Sequence, residues 1–224
     1  VKASFVIPAY NAAGFIAETI ESCLRQTEPD IEIVVVNDGS TDSTVKVVEY
    51  YAKKDKRVRL INLEKNVGRS EARNIGTKEA QSDIILVLDA DDIAYPNRVK
   101  ETLKVFDKKK DVSVVFAGFH PMDVLGQIYE PELAKDFDFE RVKKDGFTYI
   151  GHSTMAYRKK VFDKVQYPGG DYCKHAIDDW KFQVDLHKAG FKFKAIPMIL
   201  GSYRVIGKQR DEAKIKELKE LCLA

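Results

Sequence analysis

No run of apolar residues in this chain approaches the ~20 needed to cross a bilayer, and its first residues carry no apolar signal-peptide core. A soluble, cytoplasmic protein is the expectation, one still able to sit peripherally at the inner face of a membrane. Cysteine is scarce: Cys23, Cys173 and Cys222 are odd in number, far apart and without metal-ligand spacing, which reads as reduced thiols rather than a disulfide framework or a zinc site. An excess of one charge is missing too. Lys plus Arg (37) against Asp plus Glu (35) leaves +2, so no nucleic-acid partner is expected from net charge. Low-complexity linkers and internal repeats are absent, and 224 residues suffice for one large domain, 1–224, with two halves meeting near residue 117.

The first half alternates strand-like and helix-like segments. Ala3 to Ile7 and Ile31 to Val36 are apolar strands; Val58 to Leu63 is a third. Between them, Ala12 to Arg25 carries Phe15, Ile16, Ile20, Cys23 and Leu24 at helical spacing, and Thr41 or Asp42 caps a helix running to about Lys54. A helix over Ser70 to Ala80 leads to Ile84 to Leu88, then come a helix from Pro96 to Lys108 and a strand from Val112 to Ala117. This order implies right-handed crossovers and an α/β fold with a mainly parallel central sheet flanked by helices, a nucleotide-binding type of layer. Residues 119–151 show no sustained period and read as irregular structure shaping a pocket. Beyond them a strand is expected over Ser153 to Tyr157, a short helix over Lys159 to Lys164, a helix over Asp178 to Ala189, strands over Phe193 to Ile196 and Ile199 to Val205, and a closing helix from about Arg210 to Leu223. Ala213, Ile215, Leu218 and Leu221 form that last helix's apolar stripe.

Chemistry concentrates where strands end. Ile84-Ile85-Leu86-Val87-Leu88 has no polar alternation, as in a strand buried on both faces, and runs straight into Asp89, Asp91 and Asp92. Open α/β sheets bind ligands at the carboxyl edge of their strands, and carboxylates clustered there repel one another unless a cation lies between them. A divalent metal with a phosphate-bearing substrate is the first hypothesis, against a helix cap by Asp91 or Asp92. Pro8 ends the first strand and Tyr10 offers a flat face to a base, although a plain strand terminator explains the same residues. Asp38, after the second strand, is placed to accept from a base imide or a ribose hydroxyl, or else to close an Asx-turn with Gly39. Asn66, Gly68, Arg69 and Arg73 form a basic loop entering a helix, suited to phosphate.

Four segments taken together resemble the family 2 glycosyltransferases of GT-A fold: Val6-Ile7-Pro8-Ala9-Tyr10-Asn11; Val35-Val36-Asn37-Asp38-Gly39-Ser40-Thr41-Asp42; Asn66-Val67-Gly68 with Ala72-Arg73-Asn74-Ile75-Gly76; and Leu88-Asp89-Ala90-Asp91-Asp92. The likeness covers essentially the whole chain. It implies an inverting, metal-dependent hexosyltransferase that moves a sugar from a nucleotide diphosphate donor, UDP by resemblance alone, to a hydroxyl on a saccharide, lipid-linked or protein acceptor, as in polysaccharide biosynthesis. Residues 1–117 become the nucleotide-sugar half and 118–224 the acceptor half. Pro8, Tyr10, Asn11 and Asp38 then line the nucleoside pocket, and Asn66, Gly68 and Arg73 meet the donor. Asp89, Ala90 and Asp91 match the aspartate-any-aspartate signature, with Asp89 and Asp91 holding Mg²⁺ or Mn²⁺. Asp178-Asp179-Trp180 looks like the pair supplying the catalytic base, with Asp179 as base, Asp178 supporting it and Trp180 packing on sugar or core.

One departure stands out. Related enzymes often carry a histidine shortly after the segment matching Tyr203-Arg204, where Val205, Ile206, Gly207 and Lys208 stand here. Arg204 or Lys208 is then the candidate for neutralising the diphosphate, and His152 is a weaker site candidate. Two alternatives remain open from sequence: a haloacid-dehalogenase-like phosphatase with Asp89 as nucleophile and Asp91 as acid, and a non-catalytic nucleotide-sugar-binding module.

Overall fold

The computed structural model describes residues 1–146, 148–205 and 211–223. Its eight-stranded sheet has the order β3-β2-β1-β4-β7-β6-β8-β5. β1 (Ala3–Ala9), β2 (Ile31–Asp38), β3 (Val58–Leu63) and β4 (Ile84–Val87) are parallel neighbours; the apolar runs of β1, β2 and β4 are buried because helices cover both faces, while β3, at the edge, is mostly half-buried. On one face α1 (Ile16–Leu24), α2 (Thr44–Lys54) and α4 (Arg98–Lys108) enclose a core of Phe5, Ile7, Ile16, Ile20, Ile33, Val35, Val48, Val99 and Phe106. On the other, α3 (Arg69–Glu79) lays Ala72 on Val34 and Val36. All four strands therefore end at one edge, where Tyr10, Asp38 and Asp89 stand.

The second half reverses direction and returns. β7 (Ala156–Arg158) runs antiparallel between β4 and β6 (Val112–Met122), while β6 and β8 (Lys192–Arg204) are parallel. The two strands expected around Pro197 are one long strand. Ala117 pairs with Ile196 but Gly118 pairs with Ile199, so Pro197 and Met198 are carried in a bulge where the missing proline N–H breaks no ladder. β5 (Ile93–Ala94) adds to the far edge of β8 and was not anticipated, being two residues long. Nor were α5 (Phe139–Asp145) and α6 (Gly170–Lys174). Ser153 and Thr154, expected in a strand, lie in a 3-10 turn before β7.

α7 (Asp178–Lys188) packs against α8 (Glu212–Leu223) through Trp180, Val184, Ile215, Leu218 and Cys222. In that last helix Cys222, not Leu221, completes the buried stripe; Leu221 and Ala213 face solvent, and Arg210 lies outside the described residues. Cys23, Cys173 and Cys222 are all free thiols. No helix of the described residues is long and apolar enough to cross a membrane.

Candidate active site

A cleft of about 620 Å³ opens at the carboxyl edge of β1, β2 and β4. Pro8, Tyr10, Asn11, Asp38, Asn66, Gly68, Arg69, Arg73, Asp89, Ala90 and Asp91 all line it, brought together from segments more than eighty residues apart. The loops are stitched before any ligand arrives. Asn11 accepts at its side-chain oxygen from the Thr41 backbone N–H (2.8 Å), and its own N–H donates to Ser40 Oγ (2.9 Å). Asp42 accepts from the Ala13 backbone N–H (3.1 Å) and, at the start of α2, from that of Thr44 (2.9 Å), which is its capping role. Tyr10 keeps half its surface exposed, so its ring face is open to a base.

The turn after β2 is closed by Asn37, whose Oδ1 accepts from the Ser40 backbone N–H (3.3 Å), and Asp38 is turned to another task. Its two oxygens accept from the backbone N–H groups of Val67 (2.6 Å) and Gly68 (3.0 Å), pinning the 66–68 loop against the end of β2. Gly39 makes this approach possible, with φ +67°; a Cβ there would lie 2.6 Å from Asn66 N.

Arg73 is buried and ties two acids together. Nη1 donates to Asp178 Oδ2 at 2.7 Å and Nη2 to Asp89 Oδ1 at 2.6 Å. Ser70 Oγ adds a bond to Asp178 (3.1 Å), and Arg69 Nε stands 3.6 Å from its other oxygen. Arg73 therefore already spends both terminal nitrogens on carboxylates, and of the two arginines Arg69 is the more exposed to the cleft. Burial works to raise the Asp89 carboxyl, but Arg73, His152 and Arg69 outweigh it and hold that group below the usual carboxylate range.

The third acid of the turn has a different fate. Asp92 is wholly buried, accepts from the Arg204 backbone N–H (2.7 Å) and from Ser153 Oγ, and is pushed well above the normal range by burial and then by Asp89 and Asp91. It belongs to the scaffold. Among the described residues no three His, Cys, Asp or Glu side chains converge as a metal cage. Asp89 and Asp91 fit instead the mode in which one or two carboxylates hold a cation that completes its shell with substrate phosphate and water.

Arg204 lines the cleft, as expected of a candidate for the diphosphate, but its guanidinium is already engaged. Its Nε donates to Asp91 O (2.8 Å), Nη1 to Asp123 O (2.9 Å) and Nη2 to Glu18 (2.9 Å), so the guanidinium braces the acidic turn from behind. Lys208 lies outside the described residues. Trp180 does not line the cleft; it is 6% exposed in the core shared by α7 and α8. His152 is buried against Tyr167, and burial followed by Arg73 lowers its imidazole to about 3, which keeps it neutral. It is structural in placement.

Asp179, half-buried at the start of α7, accepts from the Trp180 backbone N–H (2.7 Å); neither it nor Asp178 is among the residues lining the cleft. Burial, then the neighbouring Asp178, pushes its carboxyl up to about 6. Leading into it, Cys173, Lys174, His175 and Ala176 form a wall of the cleft that sequence reading missed. Ile177 N–H donates to Tyr172 O and Ala176 N–H to Cys173 O, a Schellman closure with Ala176 at φ +57° where glycine is usual. The signal available was position alone: the segment between Gly169-Gly170 and Asp178-Asp179 had to bring those acids to the site.

This architecture is shared with nucleotide-sugar enzymes of known structure. The fold matches TarS of S. aureus, solved in complex with UDP-GlcNAc, at a TM-score of 0.75 with 20% identity, covering 99% of this chain and 66% of that one. The mannosyltransferase PcManGT from Pyrobaculum calidifontis, solved with GDP-Man and Mn²⁺, matches at 0.71 with 18% identity over 98% of this chain and 61% of the other. Both are α/β structures of the GT-A type. The family model of glycosyl transferase family 2 matches residues 4–166, and the chain belongs to that family. It is 29% identical over 220 residues to an uncharacterized glycosyltransferase of Methanocaldococcus jannaschii (96% of this chain, 75% of the relative). To TuaG of Bacillus subtilis, a putative teichuronic acid biosynthesis glycosyltransferase, it is 28% identical over 222 residues (97% and 84%). It is therefore a glycosyltransferase, and the phosphatase alternative falls away.

Proposed function

We propose that the protein is an inverting transferase that moves a hexose from a UDP-sugar to a hydroxyl acceptor, with a divalent cation at Asp89 and Asp91. The observation that carries this reading is the Arg73 bridge, which joins Asp89 of the aspartate-any-aspartate turn to Asp178, the neighbour of Asp179. Tyr10 and Asp38 stand at the nucleoside end; Asn66, Gly68 and Arg69 stand where the diphosphate would pass. Mg²⁺ or Mn²⁺, when bound, would neutralise charge on the diphosphate leaving group.

Asp179 is the base in this scheme. An acceptor hydroxyl attacking the anomeric carbon must lose its proton, and a carboxylate whose pKa is about 6 takes it better than one near 4 while remaining ionised at neutral pH. Asp178 is held by Arg73 and Ser70 and so orients α7 rather than exchanging protons. TarS and PcManGT, whose structures hold UDP-GlcNAc and GDP-Man, support a nucleotide-sugar donor. The acceptor hydroxyl belongs to a saccharide, a lipid-linked sugar or a protein, and action at the inner face of a membrane agrees with each.

The test is a thermal-shift screen of nucleotide sugars with and without Mn²⁺, followed by turnover of the best donor. Chelation is expected to abolish transfer, and Asp179→Asn to stop transfer while leaving donor binding intact. Undiminished transfer by Asp179→Asn would remove the catalytic assignment.

A further inference from the structure

Tyr203 lines the cleft but has no part in the site as assembled so far. It lies near the end of β8, lines the cavity and keeps 37% of its surface exposed, whereas its neighbour Arg204 is buried and occupied. Its ring is fixed from behind. Phe119 meets it edge-on, with centroids 6.0 Å apart and planes at 70°. Phe119 in turn fits because residue 151 is glycine: a Cβ there would come within 2.4 Å of Phe119 Cδ1.

Tyr203 shares the lining of the cleft with Asp89, Ala90 and Asp91, and with His175 and Ala176, which lead into Asp178 and Asp179. Burial first, and then Asp89, Asp92, Asp179 and Asp91, raise the pKa of the Tyr203 hydroxyl, so it stays protonated and remains a hydrogen-bond donor. The acidic turn and the Asp178-Asp179 pair that Arg73 joins to it are the two groups sugar transfer needs. A sugar in transit must lie between those two groups, since its anomeric carbon leaves a diphosphate at the first and meets a hydroxyl at the second. Pyranose rings carry an apolar C–H face that packs on aromatic surface, and hydroxyls that accept from a phenol.

We propose that Tyr203 is the platform for the transferred sugar, its ring packing against the pyranose and its hydroxyl donating to one sugar hydroxyl, so that it selects the sugar but not the nucleotide. This rests on the nucleotide-sugar reading above. Gly151 and Phe119 are positioning residues in the same device.

Calorimetry with UDP, GDP and a panel of their sugar conjugates tests it on wild type, Tyr203→Ala, Tyr203→Phe and Gly151→Ala, each checked for a native melting transition. Tyr203→Ala should bind the free nucleotide as wild type does and lose roughly tenfold in affinity for the preferred sugar conjugate. Tyr203→Phe, which keeps the face and is the safer variant for folding, should lose discrimination between sugars differing in one hydroxyl. Gly151→Ala should weaken the conjugate and spare the nucleotide. An unchanged ratio of conjugate to nucleotide affinity in both Tyr203 variants overturns the proposal. A wild-type chain that binds no nucleotide sugar at all would instead overturn the parent reading and this one with it.

Discussion

Replacing Arg204 with methionine isolates what a buried guanidinium contributes to an acidic turn. The side chain keeps its apolar stem against Phe15, whose ring lies 4.8 Å from the guanidinium carbon, but loses its donors to Asp91 O, Asp123 O and Glu18. Hydrogen bonds from a charged donor contribute about 1.5–3 kcal/mol each, and here the abandoned carbonyls are left in a partly buried place. The Glu18 carboxylate is different: its side chain is 55% exposed, so that ion pair contributes at most about 1 kcal/mol. Arg204→Met should therefore cost about 3–5 kcal/mol, on the order of 10 °C in melting temperature for a chain of this size. Glu18→Gln should cost under about 1 kcal/mol. Urea unfolding of the two variants, compared at unchanged m-value, measures both. Because Nε holds the carbonyl of Asp91, Arg204→Met should also raise the Mn²⁺ concentration needed for half-maximal activity. If Glu18→Gln destabilises as much as Arg204→Met, the ion pair rather than the carbonyl bonds carries the energy and the reasoning fails.

Further outcomes follow from the same geometry. With its carboxyl raised to about 6, Asp179 should make kcat/KM fall as pH drops through about 6, and that limb should vanish from the residual rate of Asp179→Asn. The stability sign is opposite to the usual aspartate: the folded state binds this proton more tightly than the unfolded chain, so stability declines as pH rises from about 4 to about 6. Asp179→Asn should thus be more stable than wild type at pH 8 by about 1–2 kcal/mol in denaturant titrations, and a less stable variant would contradict the burial argument. Gly39→Ala should lose several kcal/mol, roughly 2–4, and weaken nucleotide binding, since φ +67° and contacts of 2.6 Å with backbone leave a Cβ no space. Ala176→Gly should raise the unfolding midpoint by about 1 kcal/mol equivalent, because a left-handed residue is then no longer strained; a lower midpoint would count against the Schellman closure.

Much of this arrangement is readable from the chain because it depends on local pattern. Unbroken apolar runs such as Ile84 to Leu88 specify strands covered on both faces, and the polar residues placed just after the strands, Tyr10, Asp38 and Asp89, have to share an edge. Readings failed where the outcome depended on distant partners. Arg73 and Arg204 look alike in sequence, both basic near phosphate-binding motifs, yet each is consumed by carboxylates or carbonyls that only the tertiary fold supplies. Trp180, adjacent to the proposed base, turns the other way because an α-helix places successive side chains about 100° apart, and its side is covered by α8. β5 and α6 are too short to show a period, and Pro197 broke a strand on paper that a bulge keeps whole.

β7, three residues long, is the link between the parallel strands of the first half and β6 with β8. It meets β4 through Ile84 with Arg158, Ile85 with Tyr157 and Leu86 with Ala156, and meets β6 only through Val114 with Tyr157 and Val115 with Ala156. Buried Arg98 reinforces this seam, donating from Nη2 to Val87 O (2.5 Å) and Met155 O (3.2 Å). Strain applied to the molecule should part it along that line first, leaving two parallel blocks zipped, so amide protons of Ala156 and Tyr157 are expected to exchange sooner than those of β1 or β2. A short crossing, braced by Arg98 on the β4 side and by Arg158 on the β6 side, is thus where the enzyme has its mechanical fuse.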